Sequence, residues 1–313
     1  MTYSLVVPVY KNELNIPALI EATRGLNDAL AGKLEAVFVV DGSPDRSFAL
    51  LRDAIDGLPF PAQLIAHSRN FGSFPAIRTG LAHARGDYFA VMAADLQEPP
   101  ELVVTFFKAL AADECDVAVG ARTARSDPAL ARLGSRLFWG AYRRFVVPEM
   151  PPGGVDMFGC NRRFRDQLLA LEESRSSLIA LIFWLGFRRM LVPYERRART
   201  LGQSAWTLRK KIDYMLDSVF AFTDYPIRLL MRAGLLGMGA AAIVAVIVVV
   251  ARLINQITVP GYAATMLAVL FLGALNLFGL GVVGAYAWRA YENSKGRPLA
   301  VVALRHQNSQ SST

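Results

Sequence analysis

Residues Val91–Glu101 read V-M-A-A-D-L-Q-E-P-P-E, an apolar strand running into a carboxylate and an amide. Asp95 and Gln97 stand two residues apart. On an extended backbone that spacing puts both side chains on one face, where their oxygens can converge on a hard cation or on a phosphate-bound metal. Glu98-Pro99-Pro100-Glu101 then signals a helix start, because proline fits the first turn and acidic side chains suit its positive end. Taken alone, D-x-Q reads equally as an ordinary strand-to-helix turn, so the surrounding chain has to decide.

On either side of this stretch, from Tyr3 to about Arg122, short apolar runs alternate with helical patterns, which predicts a parallel α/β sheet. Strands are expected at Tyr3–Val9, Leu34–Val40, Gln63–His67, Tyr88–Ala93 and Asp116–Gly120. Helices are expected at Glu13–Leu30, Ser47–Leu58, Pro75–Ala84 and Pro99–Ala112. Ligands of such sheets bind at the carboxyl ends of the strands. Those ends carry Tyr10-x-Asn12-Glu13, Asp41-Gly42-Ser43-Pro44-Asp45, Ser68-Arg69-Asn70-Phe71-Gly72, Asp95-Leu96-Gln97 and Gly120-Ala121-Arg122. Each is weak by itself, but five polar clusters at five successive strand ends describe a site.

The chain has 313 residues, 53% of them apolar, and a formal net charge of +8. Its apolar excess is localised in two runs, Ala233–Ile254 and Tyr262–Trp288, each long enough for a bilayer, which needs about 20 residues. Arg228 and Arg232 precede the first run; Arg289, Lys295 and Arg297 follow the second, and the connector Asn255–Gly261 is uncharged. The positive-inside rule then places both termini in the cytoplasm. No signal peptide is read at the N-terminus, since Met1–Val9 is strand-like and polar residues follow at once. Cys115 and Cys160 are expected to be free thiols. The positive charge fits an anionic leaflet or phosphorylated substrates; nucleic acid is not expected, because no recognition motif accompanies it.

The signatures V-P-V-Y-x-N-E, V-D-G-S-x-D, S-R-N-F-G, A-D-L-Q-E-P-P-E, V-P-Y-E-R-x-x-R-x-x-G-x-S and E-N-S-K-G-R-P occur in that order between Tyr3 and about Val302. Together they resemble the family 2 glycosyltransferases, and among them the polyisoprenyl-phosphate type (dolichol-phosphate mannose synthase and bacterial undecaprenyl-phosphate glucosyltransferases). The resemblance implies an α/β GT-A, Rossmann-like cytoplasmic domain, followed by an interfacial amphipathic helix and two transmembrane helices in the bacterial inner membrane. Domain boundaries are expected at residues 1–205 (catalytic), 206–232 (interfacial helix and linker), 233–288 (membrane) and 289–313 (cytoplasmic tail).

The resemblance further implies that Pro8, Tyr10, Glu13, Asp41 and Ser43 hold the nucleotide of a UDP- or GDP-sugar. Asp95 and Gln97 match ligands of a divalent metal, Mg2+ or Mn2+, on its diphosphate. Asp156, in Gly153-Gly154-Val155-Asp156, matches an aspartate beside the acceptor and is the candidate base, with a turn or cap aspartate as the alternative. Arg122, Arg199 and Ser204 match a shell around the donor diphosphate and the lipid phosphate. The chain departs from the family within the site: Val40 precedes Asp41 where D-D-G-S is usual, and Ala93 stands where D-x-D begins. Ala205 and Ser73 replace lysines. Each departure removes a charge facing the donor, which puts metal binding in question. Mg2+ nevertheless needs only one or two protein carboxylates plus substrate phosphates.

Beyond Arg122 the pattern is helical and basic. Leu130, Leu133, Leu137, Phe138, Tyr142 and Phe145 recur at helix spacing, packed either on the sheet or at a membrane surface. Arg188–Glu195 reads as a strand, and Trp206–Phe222 as a helix lying in the interface or buried in the core. Leu299–Leu304 is read as a strand returning to the first domain. The expected activity is transfer of a sugar from a nucleotide-diphosphate donor to a polyisoprenyl (undecaprenyl) phosphate with inversion. The rival is a non-catalytic relative that binds nucleotide sugar or lipid phosphate as a scaffold. The resemblance implies self-association through the spans, where Gly237, Gly279, Gly281 and Gly284 allow close helix contact.

Overall fold

The structure, a computed structural model, describes residues 1–124, 140, 142–144, 146–151, 154–173, 176–197, 208–253, 261–308 and 310. Val-, Leu- and Phe-rich runs form β1 (Tyr3–Val9) and β2 (Leu34–Val40), and all seven β2 residues are buried. Continuous apolar strands of this kind occur where both sheet faces are covered. Leu5, Val7 and Val9 enter one core with α1 (Ile16–Ala29), α2 (Ser47–Ile55) and α4 (Glu101–Ala111). Val6, Val37 and Val39 point the other way, into a core shared with α3 (Ser73–His83), α5 (Arg162–Ala170) and α6 (Leu178–Trp184). The period of two along each strand thus feeds two layers of helices.

One eight-stranded sheet runs β7-β5-β6-β4-β1-β2-β3-β8, with β3 at Ala62–His67, β4 at Tyr88–Val91 and β5 at Val117–Ala124. β6 is Val155–Asn161, β7 Arg189–Glu195 and β8 Val302–Gln307. The five strands between Tyr3 and Ala124 all run the same way, as expected, and the whole sheet is mixed because β6 pairs antiparallel with both β4 and β5, and β8 pairs antiparallel with β3. The sequence reading had no strand at Val155–Asn161. Gly159 interrupts the run, and it is needed there because an added Cβ would lie 3.0 Å from Phe106 of α4 and 3.1 Å from the Phe89 carbonyl.

The opening stretch also differs from its reading. β4 ends at Val91 and Leu96 adopts φ +53°, so Asp95-Leu96-Gln97 is a left-handed turn and not an extended segment. α4 begins at Glu101, past both prolines.

Tyr142 is fully buried, with its hydroxyl 3.3 Å from the Ser177 and Ser218 hydroxyls, so this part of the basic segment packs on the domain. The other residues of that expected helical stripe lie outside the described residues. α7 (Leu208–Phe222) turns Met215, Ser218 and Phe222 inward and leaves Leu216 exposed. α8 (Tyr225–Leu253) starts with Pro226 in its first turn, and α9 spans Tyr262–Ser294. Among the described residues, one segment, Phe271–Ser294, is long and apolar enough to cross a membrane. α8 occupies the position of the other expected span. Cys115 and Cys160 are buried free thiols.

Candidate functional site

The carboxyl ends of β1 and β2 meet where the Asp41 N–H donates to the Val9 carbonyl at 3.0 Å. Two loops are clasped there. Ser43 Oγ accepts from the Lys11 N–H at 2.8 Å and donates to Asp45 Oδ1 at 2.6 Å, while Asp45 Oδ2 accepts from the Glu13 N–H. Glu13 Oε2 in turn accepts from the Arg46 N–H at 3.0 Å. Burial opposes the Asp45 charge, but bonds from Ser43 and Ser47 outweigh it and hold the carboxyl below its usual pKa. Pro8 and Tyr10 belong to the same edge, so the five expected nucleotide residues are brought together.

Asp41 is turned inward. Its carboxylate takes the N–H groups of Phe71 (2.9 Å) and Gly72 (2.7 Å), and His67 Nδ1 lies 2.8 Å away. The side chain is therefore the anchor of the Ser68–Gly72 loop. Gly42 permits the close approach: it has φ +57°, and a Cβ would meet the Arg69 backbone at 2.2 Å.

A second cluster lies across β4. Because β6 runs antiparallel, its first residues come to the edge where β5 and β7 end. Register puts Val155 opposite Ala121, and Arg122 opposite Tyr194. Asp156 Oδ2 accepts from the Tyr194 hydroxyl at 2.6 Å and from Arg122 Nη2. Burial works against the Asp156 charge, but the guanidiniums of Arg122 and Arg196 and the Tyr194 bond overcome it, so its pKa is lowered. Desolvation and the adjacent Asp156 charge push the Tyr194 phenol up.

Glu98 joins this cluster to the Asp95 turn. It is 1% exposed, and Arg196 Nε lies 3.3 Å from Oε1. Arg196 also donates from Nη2 to Gln97 Oε1 at 2.7 Å, and the Arg197 N–H donates to the Gln97 carbonyl at 2.8 Å. Burial raises the Glu98 pKa to about 7, helped by Asp156 and Asp95 and opposed by Arg196. Both Glu98 oxygens, Arg122 Nε and Arg196 Nε are buried without a hydrogen bond. Native interiors leave few such atoms. Four of them gather at one edge, where Arg196 Nε and Glu98 Oε1 face each other as an ion pair.

Glu98, Tyr194 and Arg196 are site residues that motif reading did not single out. Glu98 reads in sequence as a helix-start acid, and its chemistry comes from burial. Arg199 and Ser204 lie outside the described residues. No group of three or more His, Cys, Asp or Glu side chains is gathered for a metal among the described residues. Asp95 and the Glu98 carboxylate, whose Oε1 also faces Arg196 Nε, are an all-oxygen set at the turn. They fit a hard cation that takes its remaining ligands from phosphates and water. Gln97 Oε1 faces the Arg196 cation instead.

The family described as Glycosyl transferase family 2 matches residues 4–170. The chain is 31% identical over 302 residues to the uncharacterized glycosyltransferase YkcC of Bacillus subtilis (strain 168), covering 96% of this chain and 93% of the relative. To the putative glycosyltransferase CsbB of the same organism it is 30% identical, over 94% of this chain and 89% of the relative. To the SfII prophage-derived bactoprenol glucosyl transferase of Shigella flexneri it is 28% identical over 308 residues, 98% of this chain and 99% of the relative.

Proposed function

The chain belongs to glycosyl transferase family 2 and is a glycosyltransferase; from that premise we propose that it moves a sugar from a UDP- or GDP-sugar to the phosphate of a polyisoprenyl lipid, with inversion. The observation that carries this reading is Asp156, held by Tyr194 and Arg122 beside the buried Glu98–Arg196 ion pair and across β4 from the nucleotide-side loops. The bactoprenol glucosyl transferase relative, aligned over nearly its whole length, supports the lipid acceptor.

An acceptor phosphate oxygen forms the new bond to the anomeric carbon as the bond to the donor diphosphate breaks, and the electron pair leaves with the nucleoside diphosphate. The acceptor is already anionic at neutral pH. Asp156, kept ionised by its lowered pKa, therefore orients the acceptor-side groups Arg122 and Tyr194. Positioning and charge neutralisation supply most of the rate. Pro8, Tyr10, Glu13, Asp41 and Ser43 hold the nucleotide, Asp41 acting through the loop it anchors. Arg122, Arg199 and Ser204 offset the diphosphate and lipid-phosphate charge. A divalent cation, Mg2+ or Mn2+, held by Asp95 and Glu98, with Gln97 able to join them only by leaving Arg196, would supply further neutralisation of the leaving diphosphate.

The membrane arrangement follows from the lipid acceptor. Residues 1–205 form the catalytic unit, 206–232 the interfacial helix and linker, 233–288 two crossing helices and 289–313 a tail on the catalytic side. Support comes from β8: it pairs with β3, so the chain between them crosses a bilayer an even number of times. Gly237, Gly279, Gly281 and Gly284 leave open helix surface for self-association.

The test incubates the purified full chain in detergent with undecaprenyl phosphate and radiolabelled UDP- and GDP-sugars, with and without Mg2+ or Mn2+. Lipid-linked product is expected, reduced by about 100-fold in Asp156→Asn and lost in Asp95→Ala. Donor binding without transfer would establish the scaffold reading instead.

A further inference from the structure

A cavity of about 320 Å3 lies away from the site just described, where α7 gives way to α8, lined by Arg144, Thr223, Asp224, Tyr225, Arg228 and Arg232. Three guanidiniums face one carboxylate. Asp224 Oδ2 accepts from Arg228 Nε at 2.7 Å, which fixes one of the three. Arg144 and Arg232 have no acidic partner within 4 Å among the described residues. Arg228 and Arg232 are four residues apart on α8 and share a face, whereas Arg144 arrives from a distant part of the chain. Three cations around one carboxylate leave a net positive charge that a further anion would offset, and the planar guanidinium fork matches phosphate oxygens.

The surroundings indicate which anion. Between the lining arginines and beyond them, α8 exposes Leu229, Met231, Leu235 and Leu236. On α9, the Tyr286 hydroxyl donates to the carbonyl of Thr223, a lining residue, at 3.0 Å. Trp288 and Tyr291, close by in sequence, are 50% and 56% exposed, and Lys295 Nζ sits 5.2 Å from the Trp288 ring. Exposed Trp and Tyr beside cations, bordering exposed apolar helix, are the pattern of the head-group level. The cavity opens at that level.

We propose that Arg144, Arg228 and Arg232 form a binding site for the phosphate of an anionic bilayer phospholipid, which seats the α7–α8 junction on the membrane surface. The inference rests on the membrane placement proposed above and is independent of the transfer chemistry. Phosphatidylglycerol supplies the shared phosphate chemistry with a net negative head group; inorganic phosphate and undecaprenyl phosphate are the two other sources of it.

The test is native mass spectrometry of the full-length protein released from detergent, titrated with phosphatidylglycerol, phosphatidylcholine, inorganic phosphate or undecaprenyl phosphate. The wild type is compared with the Arg144→Gln/Arg232→Gln double variant. One phosphatidylglycerol is expected to be retained by the wild type, with affinity about tenfold or more weaker in the variant and little response to inorganic phosphate. Equal phosphatidylglycerol binding by the two proteins overturns the proposal. So does displacement by inorganic phosphate at equal concentration, or a stronger preference for undecaprenyl phosphate that the variant abolishes. An Arg144→Lys/Arg232→Lys variant, which keeps the charge, is expected to recover part of the binding and guards against misfolding; no recovery with an unchanged thermal midpoint counts against the site. Transfer activity measured in parallel separates failure of this site from failure of the enzymatic reading.

Discussion

At the scale of single residues, burial changed the meaning of side chains whose identity was plain. Asp41 is expected among the nucleotide ligands by resemblance, and its carboxylate gathers two backbone N–H groups and the His67 ring, which anchors the Ser68–Gly72 loop. Glu98 looked like a first-turn acid and is instead a nearly dry carboxyl with a pKa of about 7. The turn that holds the Asp41 loop depends on Gly42. Gly42→Ala combines a strained φ with a contact of 2.2 Å to backbone, and is expected to cost about 3 kcal/mol. Denaturation of the detergent-solubilised chain measures this; an unchanged midpoint would show that the loop shifts freely.

Among the secondary-structure elements, two polar clasps hold strands whose apolar pattern is weak. Asn308, 2% exposed and just past β8, accepts from the Ala62 N–H at 3.0 Å and donates to the Phe60 carbonyl at 2.9 Å. Asn308→Ala leaves buried backbone groups unpaired and should lower stability by about 2 kcal/mol, read from chemical denaturation. Asp116 ties β5 to β6 and β7: it accepts from Asn161 Nδ2 at 2.9 Å and from Arg188 Nε at 3.1 Å. The Arg188 bonds hold its carboxyl below the usual range, with burial opposing. A depressed folded pKa means the stabilisation is complete above the unfolded value of about 3.9 and is lost as pH falls through the folded value. Asp116→Asn is therefore expected to be less stable at pH 7 and to show a shallower acid limb below about pH 4. Parallel acid limbs for the two proteins would rule the clasp out.

For the whole molecule, the returning tail constrains the proposed topology. β8 completes the edge of the sheet beside β3, and Arg289 at the end of α9 donates to Asp217 on α7 at 2.7 Å. A reporter fused after Thr313 is expected on the cytoplasmic side with the α/β domain. A periplasmic signal would mean an odd number of crossings and would break the pairing of β8 with β3. In the proposed function the same geometry separates two duties, donor phosphates at the sheet edge and lipid at the α7–α9 junction.

The sequence by itself determined the α/β class, the strands from Tyr3 to His67 and the polar residues at their ends, because covered parallel strands are continuous apolar runs bounded by turns. Its ordered signatures also identified the family. Tertiary structure alone decided that the sheet is mixed, since Val155–Asn161 carries no alternation and its pairing is set by long-range register. It also decided that Asp95 and Gln97 sit on a left-handed turn. Asp95 stays beside the Glu98 carboxylate while Gln97 turns to Arg196. The electrostatics of this stretch depend on Glu98, Asp156 and Arg196, which come from three places in the chain and meet only when β6 folds between β4 and β5.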